Sequence, residues 1–92
     1  MAISVVVKTS RGIPVGDKLF WLTQARLWAI AETVPILHWV DVYGYTAFNA
    51  RQCKELILQL NNATRVLDIG ELVELAELAM GKSHRLLWFL GD

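Results

Sequence analysis

Cysteine is nearly missing from this chain: its 92 residues hold one, Cys53. A single thiol excludes an intrachain disulfide and every metal site built on several cysteines. An excess of charge is also missing, with nine Lys and Arg set against nine Asp and Glu. A module that grips duplex phosphates carries a clear basic excess, so no nucleic-acid partner is expected. No hydrophobic run is long enough to cross a membrane. The most apolar window, Leu27–Val40, is broken by Glu32, Pro35 and His38 and falls short of the roughly 20 residues a span needs. The start, Met-Ala-Ile-Ser-Val-Val-Val-Lys, has no positive n-region and too short an apolar run for a secretory signal. The expectation is a cytoplasmic chain without a membrane partner.

Catalytic patterns are absent too. There is no phosphate-cradling glycine loop, no metal-ligand spacing and no nucleophile–base motif, so neither enzyme activity nor a cofactor or metal is expected. The raw material for chemistry is His38, Asp41, Tyr43, Tyr45, Cys53 and His84, scattered along the chain. His38 and Asp41 could be imagined as an acid–base pair, but a lone His and Asp on an apolar segment are more often satisfied structural groups.

What the chain does have is apolar bulk. Hydrophobic residues make up 54% of it, four of them Trp, which is too apolar for disorder and sized for one domain, residues 1–92. Low net charge with high apolar content leaves little repulsion between copies, so homo-oligomers are open to it. At residues 2–9, Ile3, Val5 and Val7 alternate with Ser4, Val6 and Lys8, the period of a strand. Ser10–Gly16 holds Gly12, Pro14 and Gly16 and reads as a loop. Lys18–Val34 has no Gly or Pro and reads as a helix capped by Asp17 and ended by Pro35. Leu19, Leu22, Ile30 and Val34 are its core candidates. Trp21 and Trp28, seven apart with Ala25 between, would share one helix face, as core residues or as anchors for a partner. Ile36–Val42 fits either a strand or an irregular or helical continuation, and the second is preferred.

The densest local signals lie in Asp41–Gln52. Gly44 permits a turn between Tyr43 and Tyr45, the two best-exposed candidates for contact. Asn49 with Gln52 makes a capping box, and Phe48 with Cys53 a hydrophobic staple; Thr46 is an alternative cap. Cys53, Leu56, Ile57 and Leu60 then trace one face of a helix running to about Leu60 and ended by Asn61-Asn62. Cys53 on that stripe reads as a buried, inert thiol. Ala63–Leu67 is a linker, with room for a short extended piece at Arg65-Val66-Leu67. Asp68 with Glu71 forms a second capping box, and Ile69, Leu72, Val73, Ala76, Ala79 and Met80 trace the face of a further helix stopped by Gly81. His84, Leu86, Trp88 and Leu90 alternate with Arg85, Leu87 and Phe89, giving a last strand whose natural partner is the first. The expected fold is α+β: three main helices packed with a small sheet of the N- and C-terminal strands.

Charge is neutral in total but polarised. Residues 68–81 carry Asp68, Glu71, Glu74 and Glu77 with no Lys or Arg, while residues 1–16 carry Lys8 and Arg11. A repeated-Glu flank is most often a solvated face; the sharper reading is a negative patch that steers onto a basic partner.

The segment Asp41-x-Tyr43-Gly44-x-Thr46-x-Phe48-Asn49-x-x-Gln52, with the tail Phe89-Leu90-Gly91-Asp92, resembles a pattern in small bacterial proteins of unknown function. Their usual form has Asp after the glycine, where this chain has Tyr45. The resemblance brings no catalytic assignment. By analogy, small solitary domains of this kind resemble the immunity proteins of bacterial toxin–immunity systems. That analogy implies a tight inhibitory complex with a basic toxin domain, with Glu71, Glu74 and Glu77 meeting its cleft and Tyr43, Tyr45, Trp21 and Trp28 as anchors. The alternative is a small oligomeric scaffold or regulatory adaptor without enzymatic activity, self-pairing through the first helix or through an edge strand at either terminus.

Overall fold

The computed structural model describes residues 2–63 and 69–91. Its first strand, β1 (Ala2–Thr9), follows the period-two pattern: Ile3, Val5 and Val7 are buried, and Ser4, Val6 and Lys8 turn to the other face. The last strand, β4 (Arg85–Leu90), lies antiparallel beside it, with Val5 opposite Phe89 and Val7 opposite Leu87. The fold is α+β, with three helices and the two terminal strands paired in a sheet as expected.

Two further strands complete that sheet, and both correct the sequence reading. The helix expected over Lys18–Val34 is divided into a strand, β2 (Phe20–Thr23), and a shorter helix, α1 (Gln24–Ala31). Phe20 and Leu22 are buried while Trp21 and Thr23 are exposed, a period of two rather than 3.6. The backbone of β1 supplies the hydrogen-bonding partner, with Ile3 opposite Leu22 and Val5 opposite Phe20. The cap of α1 is Thr23, whose Oγ1 accepts the Arg26 N–H at 3.1 Å, so Asp17 has no such role. Leu19 falls outside both elements and is exposed, whereas Leu22, Ile30 and Val34 are buried. Pro35 starts a 3-10 turn, Pro35–Trp39, after Val34 at φ −126° and ψ 80°, outside the helical region that the residue before proline avoids. Ile36–Val42 is therefore helical for one turn and irregular after it, as preferred.

The second addition is β3 (Tyr45–Phe48), which pairs with β4 through Tyr45–Leu90 and Phe48–Leu87. The sheet order is β2-β1-β4-β3, antiparallel throughout. Both terminal strands are thus central, so neither offers the free edge that self-pairing at a terminus needs.

Helix α2 (Ala50–Ala63) runs past Asn61-Asn62 rather than ending there. Its capping box forms as read, Gln52 N donating to Asn49 Oδ1 and Asn49 N to Gln52 Oε1, both at 2.9 Å. Phe48 and Cys53 are both buried, which is the staple. Helix α3 (Gly70–Met80) buries Leu72, Leu75, Ala76 and Ala79. Val73 is half-buried and Met80 exposed, so its stripe is rotated toward Leu75. The Asp68–Glu71 cap pair and the extended piece at Arg65-Val66-Leu67 lie outside the described residues. Gly81 closes α3 in the right-handed region; the left-handed residue is His84, at φ 64°, just before β4. All this packs on one face of the sheet, where Phe48 and Phe89 meet with ring centroids 5.1 Å apart.

Candidate functional site

The segment that resembles other proteins and the tail that accompanies it are neighbours in space. Gly91 N donates to Gly44 O at 2.8 Å. A Cβ on Gly91 would overlap the carbonyl of Val42 and sit 2.9 Å from Gly44 O. A Cβ on Gly44 would come within 2.7 Å of Asp41 Oδ2. Asp41 Oδ1 accepts the Tyr43 N–H, and Thr46 Oγ1 accepts the Asp41 N–H, each at 2.9 Å. Asp41, Gly44, Thr46, Phe48, Asn49, Gln52, Phe89 and Gly91 are therefore all occupied with turn, cap, core or clasp. Tyr43 and Tyr45 are not: they are 64% and 75% exposed, held on a clamped backbone. Asp92 lies outside the described residues.

The helices cover one face of the sheet and leave the other uncovered. Registers place Trp21, Ser4, Leu90 and Tyr45 in one row across all four strands of that outer face. Val6, Trp88 and Ala47 form the next row, and Lys8 with Leu86 a third. None of these is buried, and Trp21 is 57% exposed. The Nε1 of Trp88 is itself shielded from solvent and has no acceptor among the described residues. A hollow of about 240 Å³ opens on this face between Lys8, Gly12, Tyr45, Trp88 and Leu90. Sequence reasoning missed Trp88, Leu90 and Val6 as surface residues. The signal was in β1 and β4, where both sets of alternating positions are apolar.

Trp28 is not part of that face. It is 57% exposed on α1, in the helical layer. The expectation that Trp21 and Trp28 share a helix face fails because a strand–helix boundary at Thr23 separates them, and their exposure excludes both from the core.

Glu71, Glu74 and Glu77 are exposed along one flank of α3, also in the helical layer. Lys18 Nζ pairs with Glu74 Oε2 at 2.7 Å. The hydrogen bond and charge of Glu74 raise the Lys18 pKa. Lys18, Leu19, Glu71, Glu74 and Leu75 line a hollow of about 390 Å³. Glu74 and Glu77 border a second with Leu78, Gly81 and Arg85, where Arg85 Nη1 donates to Leu78 O at 3.1 Å. The structure thus places Trp21 and Tyr45 on one face at opposite edges of the sheet, and brings Glu71, Glu74 and Glu77 together on the other layer.

Cys53 is buried, and burial pushes its thiol up to about 11. His84 lines a hollow with Thr9, Ser10, Arg11 and Ile13, and Tyr45 borders a different one. Asp41 is engaged in its own turn. Among the described residues no group of three or more His, Cys, Asp or Glu side chains could hold a metal, and no helix is long and apolar enough to cross a membrane. No protein-family model matches the chain, and no curated protein or solved structure shows significant similarity to it.

Proposed function

We propose that this chain is a binding protein, an immunity protein that neutralises a cognate bacterial toxin by forming a tight inhibitory complex. The observation that carries the reading is the acidic flank of α3, where a cationic head is already seated. Lys18 is solvent-exposed and sits on Glu74 at 2.7 Å, with Glu71 bordering the same hollow. An exposed pair of this kind contributes little to stability, so a Lys or Arg from a partner displaces Lys18 at small cost. Glu71, Glu74 and Glu77 then form a row for a basic surface, raising both association rate and specificity. Leu19, exposed in the hollow that Glu71 and Glu74 border, supplies apolar contact beside that row, and Trp28, exposed on α1, is a further anchor.

The test is co-expression with a toxin module encoded beside the gene. Protection of the host cell is expected, and the triple change Glu71→Gln, Glu74→Gln, Glu77→Gln should weaken the purified complex by at least tenfold at low salt. A neighbourhood without any toxin module, or protection that survives the triple change, rejects the reading. The uncovered apolar face of the sheet favours a second reading, a small oligomeric scaffold or regulatory adaptor without enzymatic activity. Loss of self-association alongside intact protection separates the two.

A further inference from the structure

We infer that the outer face of the sheet is the contact between two copies of this chain, stacked sheet to sheet with their helices outward. This surface is distinct from the acidic flank, and the inference does not depend on the toxin reading.

Charge favours a second copy over a charged partner. On the rows that cross the outer face, Lys8 is the only ionisable side chain apart from the phenol of Tyr45. Such a face offers a charged partner nothing to complement, whereas a second copy needs no opposite charge. Lys8 stands in the last row, where its stem can lie on apolar surface while the ammonium reaches water.

The face is also complementary to itself in shape. Residues in an isologous contact meet reciprocally. A twofold axis running along the strands, between β1 and β4, sets each strand over its mirror position in the order β2-β1-β4-β3. The row Trp21–Ser4–Leu90–Tyr45 then faces itself reversed: Trp21 meets Tyr45, and Ser4 meets Leu90. In the next row Val6 meets Trp88, and in the third Lys8 meets Leu86. In the first two rows smaller side chains, Ser4 and Val6, oppose larger ones, Leu90 and Trp88, and aromatic rings oppose each other at both edges. Packed sheets cross at about 30°, which keeps these pairs in reach near the axis.

The face is large enough for such a contact. Four strands about 4.8 Å apart and about six residues long give a face of roughly 20 by 20 Å. With side-chain relief it offers several hundred Å² per copy, near the roughly 800 Å² per partner of a stable interface. Edge pairing is the weaker alternative, because β2 and β3 are only four residues each.

Sedimentation equilibrium on the purified chain, from roughly 1 to 200 µM, tests this. The expected result is a species of twice 10.4 kDa. Trp21→Lys with Tyr45→Lys places like charges face to face at both edges and should give a monomer. Trp21→Lys with Tyr45→Glu places opposite charges there and should keep the dimer. Both positions are more than half exposed, so circular dichroism should show each variant folded. Glu71→Gln, in the helical layer, should change nothing. A wild-type chain that stays monomeric, a double-lysine variant that dimerises like wild type, or a Lys/Glu variant as monomeric as the double lysine each overturns the inference.

Discussion

Two glycines separate what a side chain can forgive from what a backbone cannot. At Gly91 an added Cβ meets the carbonyls of Val42 and Gly44, which are held by the clasp itself. At Gly44 it meets the carboxylate of Asp41, which can rotate away. Gly91→Ala should therefore cost about 2 kcal/mol or more, and Gly44→Ala about 1 kcal/mol or less, the ordering to be read from urea midpoints. Cys53 gives a second prediction at this scale. Its thiol is raised from 9.0 to about 11 by burial, with a backbone bond from Leu87 acting weakly the other way. The folded state holds this proton more tightly than the unfolded chain does. Its contribution is full below about pH 9 and is lost as pH rises toward about 11. Stability should fall across that window in wild type and less steeply in Cys53→Ala. Native protein should also resist thiol reagents at pH 8 until it is unfolded.

At the level of elements, α2 is fixed twice, by its capping box and by the staple behind it. Asn49→Ala removes the acceptor for Gln52 N and should cost about 1 kcal/mol. Phe48→Ala empties a fully buried site packed on Phe89 and should cost about 3–5 kcal/mol. Thermal or urea unfolding of both variants checks the ratio; equal losses would mean that the cap sets more than the helix start. The box and staple were legible in the sequence because all their partners lie within five residues of one another. β3, which feeds directly into them, was not. Tyr45–Phe48 holds strand formers in Tyr45, Thr46 and Phe48 but is only four residues long, and it becomes a strand because β4 presents a free edge to it.

For the whole molecule, one layer of helices on a four-stranded sheet leaves one apolar face outward. If that face is covered by a second copy, the melting temperature should rise with protein concentration, since dissociation and unfolding are then linked. A calorimetric series over a hundredfold range of concentration reads this directly, and a constant melting temperature would exclude a dimer over that range. The acidic flank of α3 stays exposed in such a dimer, so the two surfaces can act together. Self-pairing through an edge strand at either terminus has no free edge to use, because both terminal strands are central in the sheet.

The sequence by itself determined β1, β4, α2 and α3, along with the turn at Gly44, the cap at Asn49 and the burial of Cys53. Each rests on periodicity or capping within a few residues, where local sterics and hydrogen bonding decide the outcome. Only the tertiary structure decided the segment from Lys18 to Val34. Apolar on most sides, it satisfies a helix and a strand about equally in isolation, and the unpaired edge of β1 takes its first residues as β2. Pairing between distant strands also decided that Trp21 and Trp28 part company and that Tyr45 lines up with Trp21. It joined the tail to the turn at Gly44, leaving Tyr43 and Tyr45 outside the core. Such pairings depend on residues far apart in the chain, and no local pattern carries them.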